Sequence, residues 1–160
     1  FVDLGSKVGG IVAYSYLGDV GQSVTGDKKA QKFEDDYLEE LFELVNNLGI
    51  NAITYSPSRN TMQQLMRVRA LCEENGKMQI SGEDINQPRQ KFICEAMDDP
   101  IFANLTESTY ALIGHEMLSE HDLSKGLFAP ETIKEIPDLY KRLEHYSDIA
   151  IEYINRESHV

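Results

Sequence analysis

The stretch GGIVAYSYLG at residues 9–18 contains the first signal of a regular architecture in this chain. Two glycines precede a short apolar and aromatic run, and a third glycine ends it, which is typical of a buried β-strand. Residues 50–55 (INAITY) and residues 78–81 (MQIS) form two further runs of this kind. The chain therefore has three predicted strands in its first half.

Two segments between these strands have apolar residues at helical spacing, at residues 33–48 and residues 61–72. Thr61 can cap the second helix, while Gly49 and Gly76 end the two helices. The order is thus βαβαβ, and crossover connections of this length join parallel strands. We therefore predict an α/β fold that contains a parallel βαβαβ unit followed by a helical C-terminal segment.

The sequence changes in character after about residue 90, where no further strand is evident. One helix is predicted around residues 106–118, and a second is predicted to carry Pro137 in its first turn. We predict that residues 1–100 form the α/β portion and that residues 101–160 form a helical extension that packs on it. The extension could also mediate self-association. Because the chain begins with Phe1, we expect it to have been cut from something longer.

Composition excludes several classes of protein. The chain has 160 residues, 15 Lys+Arg against 27 Asp+Glu, a formal charge of -12 and 41% hydrophobic residues. It is too hydrophobic for intrinsic disorder, it has no apolar run that could span a membrane, and its acidity opposes binding to nucleic acid. Cys72 and Cys94 lack metal or redox spacing and are predicted to be reduced thiols. No signal peptide is evident, so we expect a cytoplasmic protein.

Polar and charged residues follow each predicted strand at its carboxyl end, where the loops of parallel strands meet and ligand sites form. They are Asp19, Asp27, Lys28, Arg59, Asn60, Glu83, Asp84, Asn86 and Arg89. Asp84 and Asn86 are two residues apart, so an extended backbone would point both side chains the same way, as a divalent metal requires. The alternative is that Asp84 caps the following turn through an Asx hydrogen bond.

Three motifs resemble one known family. Residues 9–18 resemble the strand of the PHP (polymerase and histidinol phosphatase) family that ends in a metal-binding His-Pro pair. SGEDIN at residues 81–86 resembles the family's Gly-Ser-Asp-x-His motif, and GINAITY at residues 49–55 resembles the strand between them. The resemblance spans residues 9–90 and covers the second half of a PHP domain. It implies part of a distorted barrel and a metal-dependent phosphoesterase, which is a hydrolase.

The resemblance also implies roles for individual residues. Asp84 would be a catalytic metal ligand, Asn86 a second metal ligand, and Arg59 a catalytic contact to the phosphate. Lys28 and Arg89 would be further substrate-binding residues, although each basic residue could equally be a solvated surface charge or an ion-pair partner for the acidic helices. The implied cofactor is a divalent metal, Mn, Mg or Zn, in the full-length parent, and the implied substrate is a small phosphorylated molecule.

The chain departs from the family pattern at the metal ligands. The family's His and Pro fall on Tyr16 and Leu17, its final His falls on Asn86, and its opening His-x-His motif is absent. We therefore expect this chain to be inactive as a fragment and leave open whether it holds a metal, while a full-length parent could be an active enzyme. The alternative is a non-catalytic binding or scaffold module derived from the PHP fold.

Three other features are interpreted as structural. Residues 21–28 (GQSVTGDK) nearly match a phosphate-binding P-loop, but Asp27 stands where that loop needs Lys, so an ordinary loop is predicted. His115 and His121 are six residues apart and cannot share a helix face, so they are predicted to be surface histidines. The acidic residues at 34–36 are predicted to form the solvated side of the first helix.

Overall fold

The computed structural model of this chain describes residues 1–21, 30–83, 88 and 92–157. The strands are β1 (Ala13–Ser15), β2 (Ala52–Tyr55) and β3 (Met78–Ser81). The helices are α1 (Val2–Lys7), α2 (Leu38–Asn47), α3 (Met62–Glu74), α4 (Ala103–Ser119), α5 (Pro130–Glu135) and α6 (Leu139–Glu157). Short 3-10 helices lie at Asp35–Tyr37, Glu95–Asp98, Pro100–Phe102 and Leu123–Lys125.

The three strands form one parallel sheet in the order β1-β2-β3, which confirms the predicted α/β fold with its parallel unit and helical C-terminal segment. Ala13 pairs with Ala52, and Ala52 pairs with Met78. The central strand carries the core, with Ile53 and Tyr55 almost fully buried. Ala52 is buried on the opposite face of β2 from Ile53, so both faces of this central strand are covered, as is usual in a parallel sheet.

The two crossover helices bury one face each. In α2 the buried residues are Leu38, Phe42 and Val45, spaced four and three apart as an amphipathic helix requires. Thr61 caps α3 as predicted, because its hydroxyl accepts from the Gln64 N–H and the Gln64 side chain accepts in return from the Thr61 N–H. This reciprocal pair fixes the start of α3 directly after the loop that follows β2.

The chain divides into two compact units, one of Ala13–Asp99 and one that combines Phe1–Val12 with Pro100–Val160. The first unit contains the sheet, α2 and α3. The second contains α1 and the later helices, so the first twelve residues group with the helical unit. The predicted packing of residues 101–160 on the α/β portion stays a prediction.

Within the helical unit, α4 and α6 pack closely against each other. A Cβ atom added at Gly114 would lie 2.0 Å from the carbonyl oxygen of Tyr146, so only glycine allows this approach. α6 begins at Leu139, and the Asp138 carboxylate accepts from the Lys141 N–H, as an N-cap does. Pro137 therefore precedes the helix, and its predicted place in the first turn was wrong.

The prediction that His115 lies on the surface was also wrong. His115 is only 9% exposed, and its Nδ1 accepts a hydrogen bond of 3.0 Å from the Leu127 N–H. Burial lowers the pKa of His115, against the opposing effects of a hydrogen bond with the Gly9 backbone and the charge of Glu116. The imidazole is thus a neutral structural group that joins three segments of the helical unit. His121 is exposed, as predicted.

No helix in the described part of the chain has both the length and the apolar composition needed to cross a bilayer.

Candidate functional site

The loops that leave the three strands lie side by side at the carboxyl edge of the sheet. The Tyr16 N–H donates to the Thr54 carbonyl over 2.8 Å, and the Gly82 N–H donates to the Tyr55 carbonyl over 2.8 Å. The parallel pairing therefore continues one residue beyond β1 and β3 and aligns the loops. We call this edge the rim and define it as residues 16–19, 56–60 and 81–83.

Successive backbone N–H groups after β1 converge on two carboxylates. Leu17 and Gly18 donate to Oε1 of Glu34 over 2.7 and 3.3 Å, and Asp19 donates to Oδ2 of Asp35 over 3.0 Å. Gly18 makes this possible with a φ of 68°, a left-handed conformation that side chains disfavour. Such a concave set of N–H groups is the kind of backbone arrangement that binds anions.

Side chains complete the environment of Asp35. The Tyr16 hydroxyl donates to Oδ1 over 2.5 Å, and Nε2 of Gln64 donates to Oδ2 over 2.7 Å and to the Asp19 carbonyl over 2.8 Å. Burial alone would raise the pKa of the Asp35 carboxyl, but the hydrogen bonds from Gln64, Tyr16 and Asp19 hold it below its usual value. Burial, followed by the Asp35 carboxylate, strongly raises the pKa of Tyr16.

Gly18 is surrounded by side-chain donors. A Cβ atom added there would lie 2.6 Å from Nδ2 of Asn60, 2.9 Å from Nε2 of Gln64 and 2.9 Å from the Tyr16 hydroxyl. Asn60 joins two loops, because its Nδ2 donates to the Leu17 carbonyl while its Oδ1 accepts from the backbone of the loop after β2. The rim is therefore a connected hydrogen-bond network in which the β1 loop and the β2 loop hold each other.

Arg59 lies in the rim, in the turn that follows β2. The turn is closed by the Asn60 N–H, which donates to the Ser56 carbonyl, and Pro57 is buried within it. Arg59 itself is exposed, and its guanidinium carbon lies 5.7 Å from the centre of the Phe33 ring. Among the described residues it forms no ion pair, so its charge faces solvent at the rim. Its predicted phosphate contact stays a prediction.

Glu83 lies two residues after β3, and its carboxylate is contacted by hydroxyl and thiol donors. Ser56 Oγ and Ser58 Oγ donate to its carboxylate over 2.8 and 2.5 Å, and Cys94 Sγ lies 3.4 Å from Oε1. Burial would raise the pKa of Glu83, but the bonds from Ser58 and Ser56 lower it overall. Burial and the neighbouring Glu83 raise the pKa of Cys94, so it remains a free thiol at neutral pH.

Four of the predicted site residues, Lys28, Asp84, Asn86 and Arg89, lie outside the described residues, as does most of the P-loop-like segment. Within residues 1–21, 30–83, 88 and 92–157, no three His, Cys, Asp or Glu side chains are grouped so that they could hold a metal ion. The metal site implied by the resemblance depends on Asp84 and Asn86, and it therefore stays a prediction.

A cleft of about 340 Å³ opens beside Asp35. It is lined by Asp35, Asp36, Thr61, Gln63, Gln64 and Arg67. Arg67 donates from one guanidinium nitrogen to the Asp35 carbonyl over 2.6 Å and from the other to Glu39 over 2.6 Å. Asp35, whose carboxylate accepts from the rim donors, is thus one of the residues that line this cleft.

The prediction that residues 34–36 form a solvated helix side was wrong for Glu34, which is only 4% exposed. The helix proper begins at Leu38, and residues 33–36 instead lie against the β1 loop, with the Phe33 N–H donating to Asp19. The available signal was the glycine of the β1 loop, which indicates a turn that can present N–H groups to an acid.

In comparisons with known proteins, no family model, no curated protein and no solved structure matches this chain. The resemblance to the PHP family thus rests on the motifs at residues 9–18, 49–55 and 81–86.

Proposed function

We propose that this chain is the C-terminal portion of a PHP-like metal-dependent phosphoesterase and that, as this fragment, it binds a small phosphorylated molecule without hydrolysing it. The observation that carries the proposal is the state of Tyr16, which stands where the family has a metal-binding His. Its hydroxyl donates to Asp35, and its pKa is strongly raised, so it stays protonated at neutral pH. A protonated phenol that already donates its proton to a carboxylate is a poor metal ligand.

The carboxylates of Glu83, in the rim, and of Glu34 and Asp35, which accept hydrogen bonds from the rim, also favour binding over catalysis. Glu34, Asp35 and Glu83 each accept at least two hydrogen bonds from the protein. A general base works best with a pKa near the operating pH, whereas the pKa values of Asp35 and Glu83 are lowered. These groups therefore support the structure of the rim and are poorly suited to activating water.

Arg59 supports binding of a phosphoryl group. A guanidinium can bind phosphate with two parallel hydrogen bonds. The Arg59 guanidinium is exposed at the rim, where it lies over the Phe33 ring. Because the chain as a whole carries a formal charge of -12, we expect the binding to be weak and sensitive to salt.

The test has two parts. We expect no hydrolysis of p-nitrophenyl phosphate by this chain with added manganese, and saturable binding of phenyl phosphate followed by NMR. Arg59→Gln should weaken that binding, while Arg156→Gln, which removes the same charge from an exposed residue of α6, should leave it unchanged. Robust hydrolysis, or equal affinity in both variants and the wild type, would contradict the proposal.

Whether a full-length parent is an enzyme requires a separate measurement. Two or more tightly held divalent ions in the purified parent, by metal analysis, would support an active phosphoesterase with Asp84 as a ligand. A parent without bound metal would support the binding or scaffold module. In an active parent, Asp84→Asn should abolish turnover without unfolding the protein.

A further inference from the structure

We propose that the backbone N–H groups of residues 17–19 form a second binding site for a phosphoryl group, and that Glu34 and Asp35 occupy it as built-in competitors. The inference rests on the proposed function only for the class of ligand. It concerns donors that are separate from the Arg59 guanidinium.

The donors match a phosphoryl group in number, and the two carboxylates match it in charge. Three backbone N–H groups, the Tyr16 hydroxyl and Nε2 of Gln64 all donate to the two carboxylates. Two ionised carboxylates carry two negative charges, and a phosphate monoester carries about 1.5 to 2 at neutral pH. The carboxylates therefore supply nearly the charge and acceptor set that one phosphoryl group would supply.

Asp35, one of the two competing residues, also lines the cleft described above. The cleft has a volume of about 340 Å³, and Arg67 and Gln64 line it on the side of α3. Arg67 would contribute positive charge from the lining of the cleft, where it donates to the Asp35 carbonyl and pairs with Glu39. Gln64 lines the cleft and donates to Oδ2 of Asp35, the same oxygen that accepts from the Asp19 N–H.

The site is occupied by carboxylates and not by a free anion because Glu34 is covalently part of the same chain. Glu34 belongs to the same chain as the N–H groups that it accepts from, 16 and 17 residues away. A tethered group competes at an effective concentration on the order of millimolar. A free anion must exceed that competition, so neutralising Glu34 should open the site. Gln at this position keeps the shape but is a weaker, uncharged acceptor.

The experiment is a titration of ¹⁵N-labelled chain with inorganic phosphate, read at the amides of residues 17–19. We expect small shifts in the wild type, and saturable shifts with an affinity about tenfold higher in Glu34→Gln. Glu43→Gln is the matched control, because it makes the same change at an exposed residue of α2 that does not line the cleft. It should titrate like the wild type.

Asp35→Asn is the second opening variant, used if Glu34→Gln does not fold. Saturable wild-type shifts at residues 17–19 with the affinity of the opened variants would overturn the competitor role. If no folded protein in the set, the wild type included, shows phosphate shifts at these amides, the binding site itself is overturned. The proposed function fails separately, when Arg59→Gln leaves phenyl phosphate binding by the wild-type rim unchanged.

Discussion

Gly18 is the position where the rim can be tested by adding a single carbon atom. Its φ of 68° and its three close side-chain donors make two distinct demands on a substituted residue. Gly76 has a similar φ of 59° but nothing within 4 Å of an added Cβ atom. Comparison of Gly18→Ala with Gly76→Ala therefore separates the cost of the backbone conformation from the cost of crowding.

The magnitudes follow from the contacts. A left-handed alanine costs about 1 to 2 kcal/mol at either position. At Gly18 the Cβ atom would also lie 2.6 Å from Nδ2 of Asn60 and 2.9 Å from Nε2 of Gln64. The ends of these side chains can move, but only by giving up the hydrogen bonds to the Leu17 and Asp19 carbonyls, at about 1 kcal/mol each. Gly18→Ala should thus cost about 2 kcal/mol more than Gly76→Ala.

The assay is urea unfolding followed by far-ultraviolet circular dichroism, with NMR spectra of each variant to confirm that the sheet unit is folded. The quantity compared is the loss of unfolding free energy relative to the wild type. Equal losses in the two variants, within about 0.5 kcal/mol, would refute the claim that side-chain donors crowd Gly18 and hold the rim together.

Two further predictions concern the helical unit. Gly114→Ala should lower the unfolding free energy by about 1 to 3 kcal/mol in thermal or urea unfolding. The reason is that the added Cβ atom meets the Tyr146 carbonyl, so that α4 and α6 must move apart. An unchanged or raised stability would contradict this close packing. The unfolding free energy should fall as the pH drops below about 6.5, because burial lowers the pKa of His115 in the folded protein. The stability that the neutral His115 contributes is complete above the pKa of histidine in the unfolded chain. It is lost as the pH falls from that value through the lower pKa of the folded protein. Urea midpoints measured from pH 7.5 to 5 should show this fall in the wild type and in His121→Gln, and a smaller fall in His115→Gln; equal slopes in all three would contradict it.

Hydrophobic pattern was enough to predict the sheet unit. The run at residues 78–81 coincides with β3, and Thr61 caps α3 as its sequence indicates. These features depend on local chemistry: β-branched and apolar residues that fit a buried strand, and a hydroxyl three residues before an amide. Parallel pairing followed from connection length alone. The bounds of β1 were predicted too wide, because Ile11 and Val12 lie outside the strand.

The carboxylate arrangement at the rim could not be predicted in the same way. Glu34 and Asp35 stand next to a helical pattern, where acidic residues are normally solvated, and their donors come from a loop 16 to 19 residues away. His115 is similar, since its partner Leu127 lies 12 residues further along the chain. Periodicity shows which face of an element is apolar, but it cannot show which polar side chain meets a distant backbone group.

The hydrogen bonds of Asn60 to Leu17 and of Gln64 to Asp19 join residues 43 and 45 positions apart. Loop closure over such separations is costly in entropy, and these bonds form only after the sheet has brought the segments together. The rim should consequently be the last part of the sheet unit to assemble during refolding. A variant with a weakened rim should then refold at nearly the normal rate and unfold faster, because the lost contacts form after the transition state.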